Sequence, residues 1–290
     1  MNVKEDFILP IAMTAAGTEP PIGAHRPTAW PGLMIVLSHM LGRGPVAKRA
    51  GTALRWLAAP KPDTCYDMEV LGSFMRLRPV GNATEKHLAF MPKLFDPAEL
   101  EAIAATIVPG SVFIDVGANV GAYSLYAASR ASEGSVIIAV EPHPVALQRL
   151  RFNIAANDYA NIRVEPLALS DKPGTALLEI VNSNIGQTSV VQGDGARSAT
   201  AHEVSTETLL GLCRRHGLTR LDALKLDIEG HEPPVLLAFF AEAPASLWPK
   251  VIVLEANGAL DTSGLATRLA ATGYTGVPTP QRNIIFRRSI

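Results

Sequence analysis

From residue 111 onward the apolar positions cluster into short runs, each closed by an acid, a glycine or a proline and followed by a stretch with helical period. Residues 112–116 form the first such run, followed by a helix over 122–131 that stops at Gly134. Residues 136–140 form the second, ending in Glu141 ahead of a helix over 145–157. A third strand over 162–169 is interrupted by Pro166. Short strands over 176–181 and 189–192 then flank a polar loop (182–188). A Gly-rich connector and a helix over 206–216 come next. Strands over 221–228, 251–255 and 284–287 alternate with helices over 234–240 and 262–271. This alternation predicts an α/β architecture: an open, mostly parallel sheet with helices on both faces. Such sheets bind ligands beyond the carboxyl ends of their strands, where the winding direction switches.

Upstream the pattern is different. Residues 1–31 are rich in Pro, Gly, Thr and Ala without period and read as an irregular lead-in. Residues 33–58 are helical with a break near 42–45, and the second half carries Arg43, Lys48, Arg49 and Arg55 without an acid. Such a face suits peripheral contact with a membrane or an anionic substrate. Amphipathicity is also what any surface helix shows, so packing against the main domain is the first expectation. Residues 60–63 form a linker, 74–78 alternate as a strand, and 99–107 form a helix introduced by Asp96 and Pro97 as N-cap and first-turn pair. The expected division is an N-terminal extension over 1–73 and a catalytic-type domain over 74–290.

Composition narrows the function classes. A formal charge of −1 supplies no general attraction for nucleic acid, so nucleic acid is not an expected partner. Cys65 and Cys213 match no zinc or disulfide spacing and read as buried reduced thiols. The start, with Glu5 and Asp6 ahead of its apolar segment, lacks the basic region of a secretory signal, and a cytoplasmic location is expected.

The chemistry concentrates at three strand ends. After the first strand come Asp115, Gly117, Asn119 and Gly121, a strand-to-helix turn that lets backbone approach a ligand and offers free N–H groups. The spacing is not that of a dinucleotide fingerprint, and Asp115 opposes a pyrophosphate while favouring a ligand with an ammonium or sulfonium. Glu141 ends the second strand, where a carboxylate accepts from both ribose hydroxyls. Together these favour S-adenosylmethionine over a nicotinamide cofactor. In the fourth strand Lys225, Asp227 and Glu229 alternate along one face, and desolvating three charges is costly unless they pair or serve a site. An ion pair joining strand to helix is the structural alternative. His231 follows at the exit as a further base candidate. Asp227, Glu229 and His231 also offer ligands of the kind a divalent cation takes, but nothing else in the chain completes a set, and no metal is expected.

These segments together resemble the FkbM-type S-adenosylmethionine-dependent methyltransferases: FIDVGANVG (113–121), AVEPHP (139–144), NIRVEPLALSD (161–171), LKLDIEGHE (224–232) and VIVLEAN (251–257), in the family's order. The resemblance implies a class I methyltransferase fold, Rossmann-like, with a seven-stranded sheet whose last strand is antiparallel. It further implies O-methylation of a sugar or other small natural product. By position it sets Gly117, Asn119 and Gly121 towards the methionine, Glu141 towards the ribose, the stretch holding Ala168 and Leu169 towards the adenine, and Asp227 beside the methyl-transfer centre. The base is expected among Asp227, Glu229 and His231, in that order. The competing expectations are a nicotinamide-dependent oxidoreductase and a cofactor-binding scaffold without catalysis.

Overall fold

The computed structural model describes residues 19–180, 188–191, 201–255 and 263–289. Its centre is a seven-stranded sheet built from β3 (Val112–Val116), β4 (Val136–Val140), β5 (Ile162–Glu165), β10 (Ala223–Leu226), β11 (Val251–Glu255), β12 (Tyr274–Pro278) and β13 (Asn283–Arg288). The order across the sheet is β12-β13-β11-β10-β3-β4-β5. The pairs from β5 to β11 are parallel, and β13 runs antiparallel to both neighbours. This is the class I methyltransferase arrangement, with its antiparallel last strand.

Each strand's alternation divides the apolar residues between two cores. Phe113, Ile137, Ala223, Val251, Val253 and Ile285 face one layer, where α4 (Pro97–Ala104) and α5 (Ala122–Ala128) pack. Ile114, Ile138, Leu224, Ile252 and Leu254 face the other, against α7 (Leu209–Arg215), α8 (Glu232–Glu242) and α9 (Leu265–Ala271). Both faces are covered, which is why the strands read as continuous apolar runs. The winding leaves β3 in one direction through β4 and β5 and in the other through β10 and β11. The loops after β3 and β10 therefore diverge and leave a crevice between them.

A second, four-stranded sheet has the order β6-β9-β7-β8, from β6 (Ala168–Leu169), β7 (Gly174–Ile180), β8 (Thr188–Val191) and β9 (Ala201–Glu207). The expected third strand over 162–169 is thus split at Pro166 between two sheets. Thr206, expected to open a helix, lies within β9 instead; Thr208 caps α7 by accepting from Gly211 N at 2.9 Å. Antiparallel pairing with β7 decides the matter locally, because it satisfies backbone groups that a free connector would leave unpaired. Most of the polar loop and the Gly-rich connector lie outside the described residues.

The N-terminal part holds α1 (Ala29–Met40) and α2 (Pro45–Ala58), broken where expected, then the hairpin β1 (Tyr66–Val70) and β2 (Ser73–Leu77), and α3 (Ala83–Phe90). The hairpin straddles the expected boundary at residue 73. Of the lead-in, residues 1–18 lie outside the described residues; the rest is pinned. Buried Arg76 donates to Asp67 at 2.7 and 2.9 Å, to Glu19 at 3.0 Å and to the carbonyls of Pro20 and Pro21. Asp67 accepts in turn from the backbone of Gly23 and His25. Cys213 is a buried free thiol, whereas Cys65 is only half-buried. No helix among the described residues is long and apolar enough to cross a membrane.

Candidate active site

The turn after β3 is built on two left-handed residues, Gly117 at φ +73° and Asn119 at φ +52°. A Cβ on Gly117 would fall 2.1 Å from the Asp227 carbonyl oxygen, so only glycine lets the β3 and β10 loops meet here. Gly117 N and Ala118 N both donate to Val140 O at 3.0 Å, tying the turn to β4. Asn119 N donates to Glu141 Oε2 at 2.7 Å, and His143 N donates to Glu141 Oε1 at 2.8 Å. Burial pushes the Glu141 carboxyl up to about 7 against those two hydrogen bonds. Each of its oxygens keeps further acceptor capacity.

The charged residues around β10 form a graded series. Lys225 lies in register with Asp115, and its Nζ is 3.7 Å from Asp115 Oδ1 and 3.4 Å from Asp227 Oδ2. It also donates to Gly117 O at 2.9 Å. Burial works against the ammonium, yet the carboxylates of Asp227 and Asp115 hold its pKa above the ordinary value. Asp115 is fully buried; Ser124 Oγ donates to its Oδ2 at 2.6 Å, its Oδ1 has no hydrogen bond, and burial raises its carboxyl. Asp227 is half exposed.

The expected alternation of Lys225, Asp227 and Glu229 along one strand does not continue that far. The strand ends at Leu226, and Glu229 at φ +54° followed by Gly230 at φ +94° turns the chain out of the sheet. Burial first, then the negative charges of Glu255, Asp227 and Glu232, raise the Glu229 carboxyl to about 7. His231 stands at the N-cap of α8, its Nε2 3.4 Å from Ser170 Oγ.

Gly117, Asn119, Glu141, Ala168, Leu169, Asp227, Glu229 and His231 all line one cleft, partly open to solvent. Asp115 and Gly121 are not in its wall. Asp115 sits behind it as Lys225's partner, and Gly121 N closes the turn on Ala118 O at 2.8 Å. Residues not anticipated from sequence complete the surroundings. Val140, Pro142, Leu178 and Ile228 supply apolar wall. Asn82 Nδ2 donates to Asn119 Oδ1 at 2.9 Å. Asp96 stands at the N-cap of α4 with Pro97 in the first turn, as expected, but its side chain makes no cap hydrogen bond; at φ +39° it accepts from Tyr123 OH at 2.8 Å, and burial raises its carboxyl to about 6. Glu255 at the end of β11 is also raised, by burial and then by Asp227 and Glu232. Only the ending of strand β11 in an acid hinted at this last group.

The Methyltransferase FkbM domain matches residues 115–273, more than half of the sequence and both walls of the cleft. This chain belongs to the FkbM methyltransferase family. Its curated relatives include two of very different length. The AMB antimetabolite synthetase AmbE of Pseudomonas aeruginosa is 31% identical over 56% of this chain and 9% of its own length. The 31-O-demethyl-FK506 methyltransferase FkbM of Streptomyces tacrolimicus is 28% identical over 58% of this chain and 74% of its own. The chain thus spans only a small part of the first relative. A solved SAM-dependent O-methyltransferase from Thermotoga maritima is 12% identical with a TM-score of 0.39, covering 68% of this chain and 66% of that one, a likeness too loose to bear on function.

S-adenosylmethionine is the cofactor of FkbM methyltransferases, and the cleft fits it. Gly117 and Asn119 bring the turn after β3 into the wall of the cleft. Glu141 offers acceptors for vicinal hydroxyls, Leu167, Ala168, Leu169 and Leu178 offer an apolar slot for a planar base, and Asp227 offers negative charge to a cation.

Proposed function

We propose that the protein methylates a hydroxyl oxygen of a sugar or other small natural product, with Glu229 as the base. S-adenosylmethionine supplies an electrophilic methyl on positively charged sulfur. Gly117 and Asn119 receive the methionine end, Glu141 accepts from the ribose hydroxyls, and Ala168 and Leu169 cover the adenine. Asp227, held at 3.4 Å by Lys225, presents its charge to the sulfonium. The acceptor then needs alignment and a place for its proton.

The observation that carries this reading is Glu229: a solvent-accessible carboxyl in the cleft wall, raised to about 7 by partial desolvation and then by the neighbouring acids Glu255, Asp227 and Glu232. A base so tuned is ionised enough to act at neutral pH and basic enough to take a proton from an alcohol as its oxygen attacks. His231, bonded to Ser170, orients the exit of the loop.

The test is mass spectrometry of a panel of sugars, phenols, lipids and peptides incubated with the protein and S-adenosylmethionine. The expected product is an O-methylated carbohydrate or small natural product; methylation confined to nitrogen or to a peptide overturns the acceptor class. With an acceptor in hand and S-adenosylmethionine saturating, so that Glu141 is already engaged by the cofactor, kcat rises with pH through about 7 as Glu229 loses its proton. Glu229→Gln removes that limb and lowers turnover by about 10²- to 10⁴-fold. An unchanged limb in this variant refutes the assignment of the base.

A further inference from the structure

We propose that the α1–α2 hairpin is a docking surface for an anionic lipid bilayer. Of the eleven large apolar side chains exposed among the described residues, eight lie between Trp30 and Leu57, so the exposure is concentrated on this hairpin; the other three, Phe74, Val108 and Val277, are scattered singly along the sequence. Trp30, Leu33, Val36 and Met40 stand out from α1, and Val46 and Trp56 from α2. The opposite side of α1 is apolar too: Met34 and Ile35 are buried in the same cluster as Phe90 and Met91. A helix apolar all round belongs in a core or against lipid, and only one side of this one is in the core. At twelve residues α1 is too short to span a bilayer, which leaves an interfacial position.

Charge selects the lipid. Arg43, Lys48, Arg49 and Arg55 border the apolar residues, and no acid occurs from 29 to 58. Lys86 of α3 joins Arg55 and Trp56 around a groove that also takes in Asn82. The positive charges of Lys86, Lys48 and Arg55, after burial, depress His87 nearby. Interleaved cations and tryptophans match anionic headgroups above acyl chains.

The surface is also fixed in place. Trp30 Nε1 donates to Leu57 O at 2.8 Å, joining the two helices, and a His39 ring nitrogen lies 2.9 Å from Ala89 O of α3. Asn82, which follows β2, caps α3 and lines that groove, donates to Asn119 of the cleft turn, so one residue touches both the docking surface and the cleft. Docking itself does not rest on the methyl-transfer reading.

The test is co-sedimentation of the full chain with vesicles of phosphatidylcholine containing phosphatidylserine, against vesicles of phosphatidylcholine alone. Binding to the anionic vesicles that fades with salt is expected. Each basic residue is worth about fivefold near such a surface, so Arg43→Glu with Lys48→Glu and Arg49→Glu weakens binding on the order of a hundredfold. Met40→Asp with Val46→Asp weakens it at least about tenfold. Calorimetry with S-adenosylmethionine checks that each variant stays folded. For the unaltered chain, a blue shift of tryptophan emission on adding anionic vesicles reports burial of Trp30 and Trp56. No pelleting and no blue shift at low salt overturns the proposal, as does pelleting that the variants leave unchanged. A salt-insensitive dimer by light scattering, without vesicle binding, assigns the face to a second copy and overturns it too.

Discussion

Replacing Gly117 with alanine probes the point where two loops touch. Its added Cβ would stand 2.1 Å from the Asp227 carbonyl oxygen, where ordinary contact begins near 3.4 Å, so backbone on one side must move by about 1 Å. No flexible side chain is there to yield. Holding alanine at φ +73° costs about 1–2 kcal/mol, and forcing the contact adds about 1–3 kcal/mol. The sum is about 3 kcal/mol, or roughly 10 °C in melting temperature for a domain of this size. Gly110 supplies the control: its φ is +71°, but a Cβ there meets nothing within 4 Å. Gly110→Ala therefore carries the conformational cost alone and leaves the cleft untouched. Thermal unfolding and titration calorimetry with S-adenosylmethionine on both variants separate the terms. Gly117→Ala should melt several degrees below Gly110→Ala and bind the cofactor at least about tenfold more weakly, a loss of about 1.4 kcal/mol. Equal melting and equal binding in the two variants would refute the steric argument and the placing of the methionine at this turn.

Two further perturbations test the groups around that turn. Lys225→Met leaves Asp115 buried without its counter-charge and Gly117 O without its donor, so urea unfolding should report a loss of about 3–5 kcal/mol. Adding Asp115→Asn should recover part of this loss, and additive losses would mean the two side chains are not coupled. Glu141→Ala removes the acceptor assigned to the ribose; with charged-group hydrogen bonds worth about 1.5–3 kcal/mol, calorimetry should find cofactor binding weaker by about tenfold or more. Unaltered affinity would move the ribose elsewhere in the cleft.

The sequence by itself determined the sheet and most of the cleft wall. Strands buried on both faces must be apolar throughout, so β3, β4, β10 and β11 stand out as runs, and the acids and glycines that end them mark where backbone leaves the sheet. Gly117, Glu141 and Asp227 were legible for that reason. Tertiary structure decided what those acids do. Asp115 and Asp227 are both acids near strand ends, yet register with Lys225 buries one as a counter-ion and leaves the other half exposed in the cleft. Glu229 stands on a strand by alternation but on a left-handed turn in space, where desolvation first and then acids from β11, α8 and its own loop raise its carboxyl. Asp96, Asn82 and Glu255 join the surroundings from segments distant in sequence. A side chain's charge state depends on burial and on neighbours brought together by folding, and neither is written in local spacing.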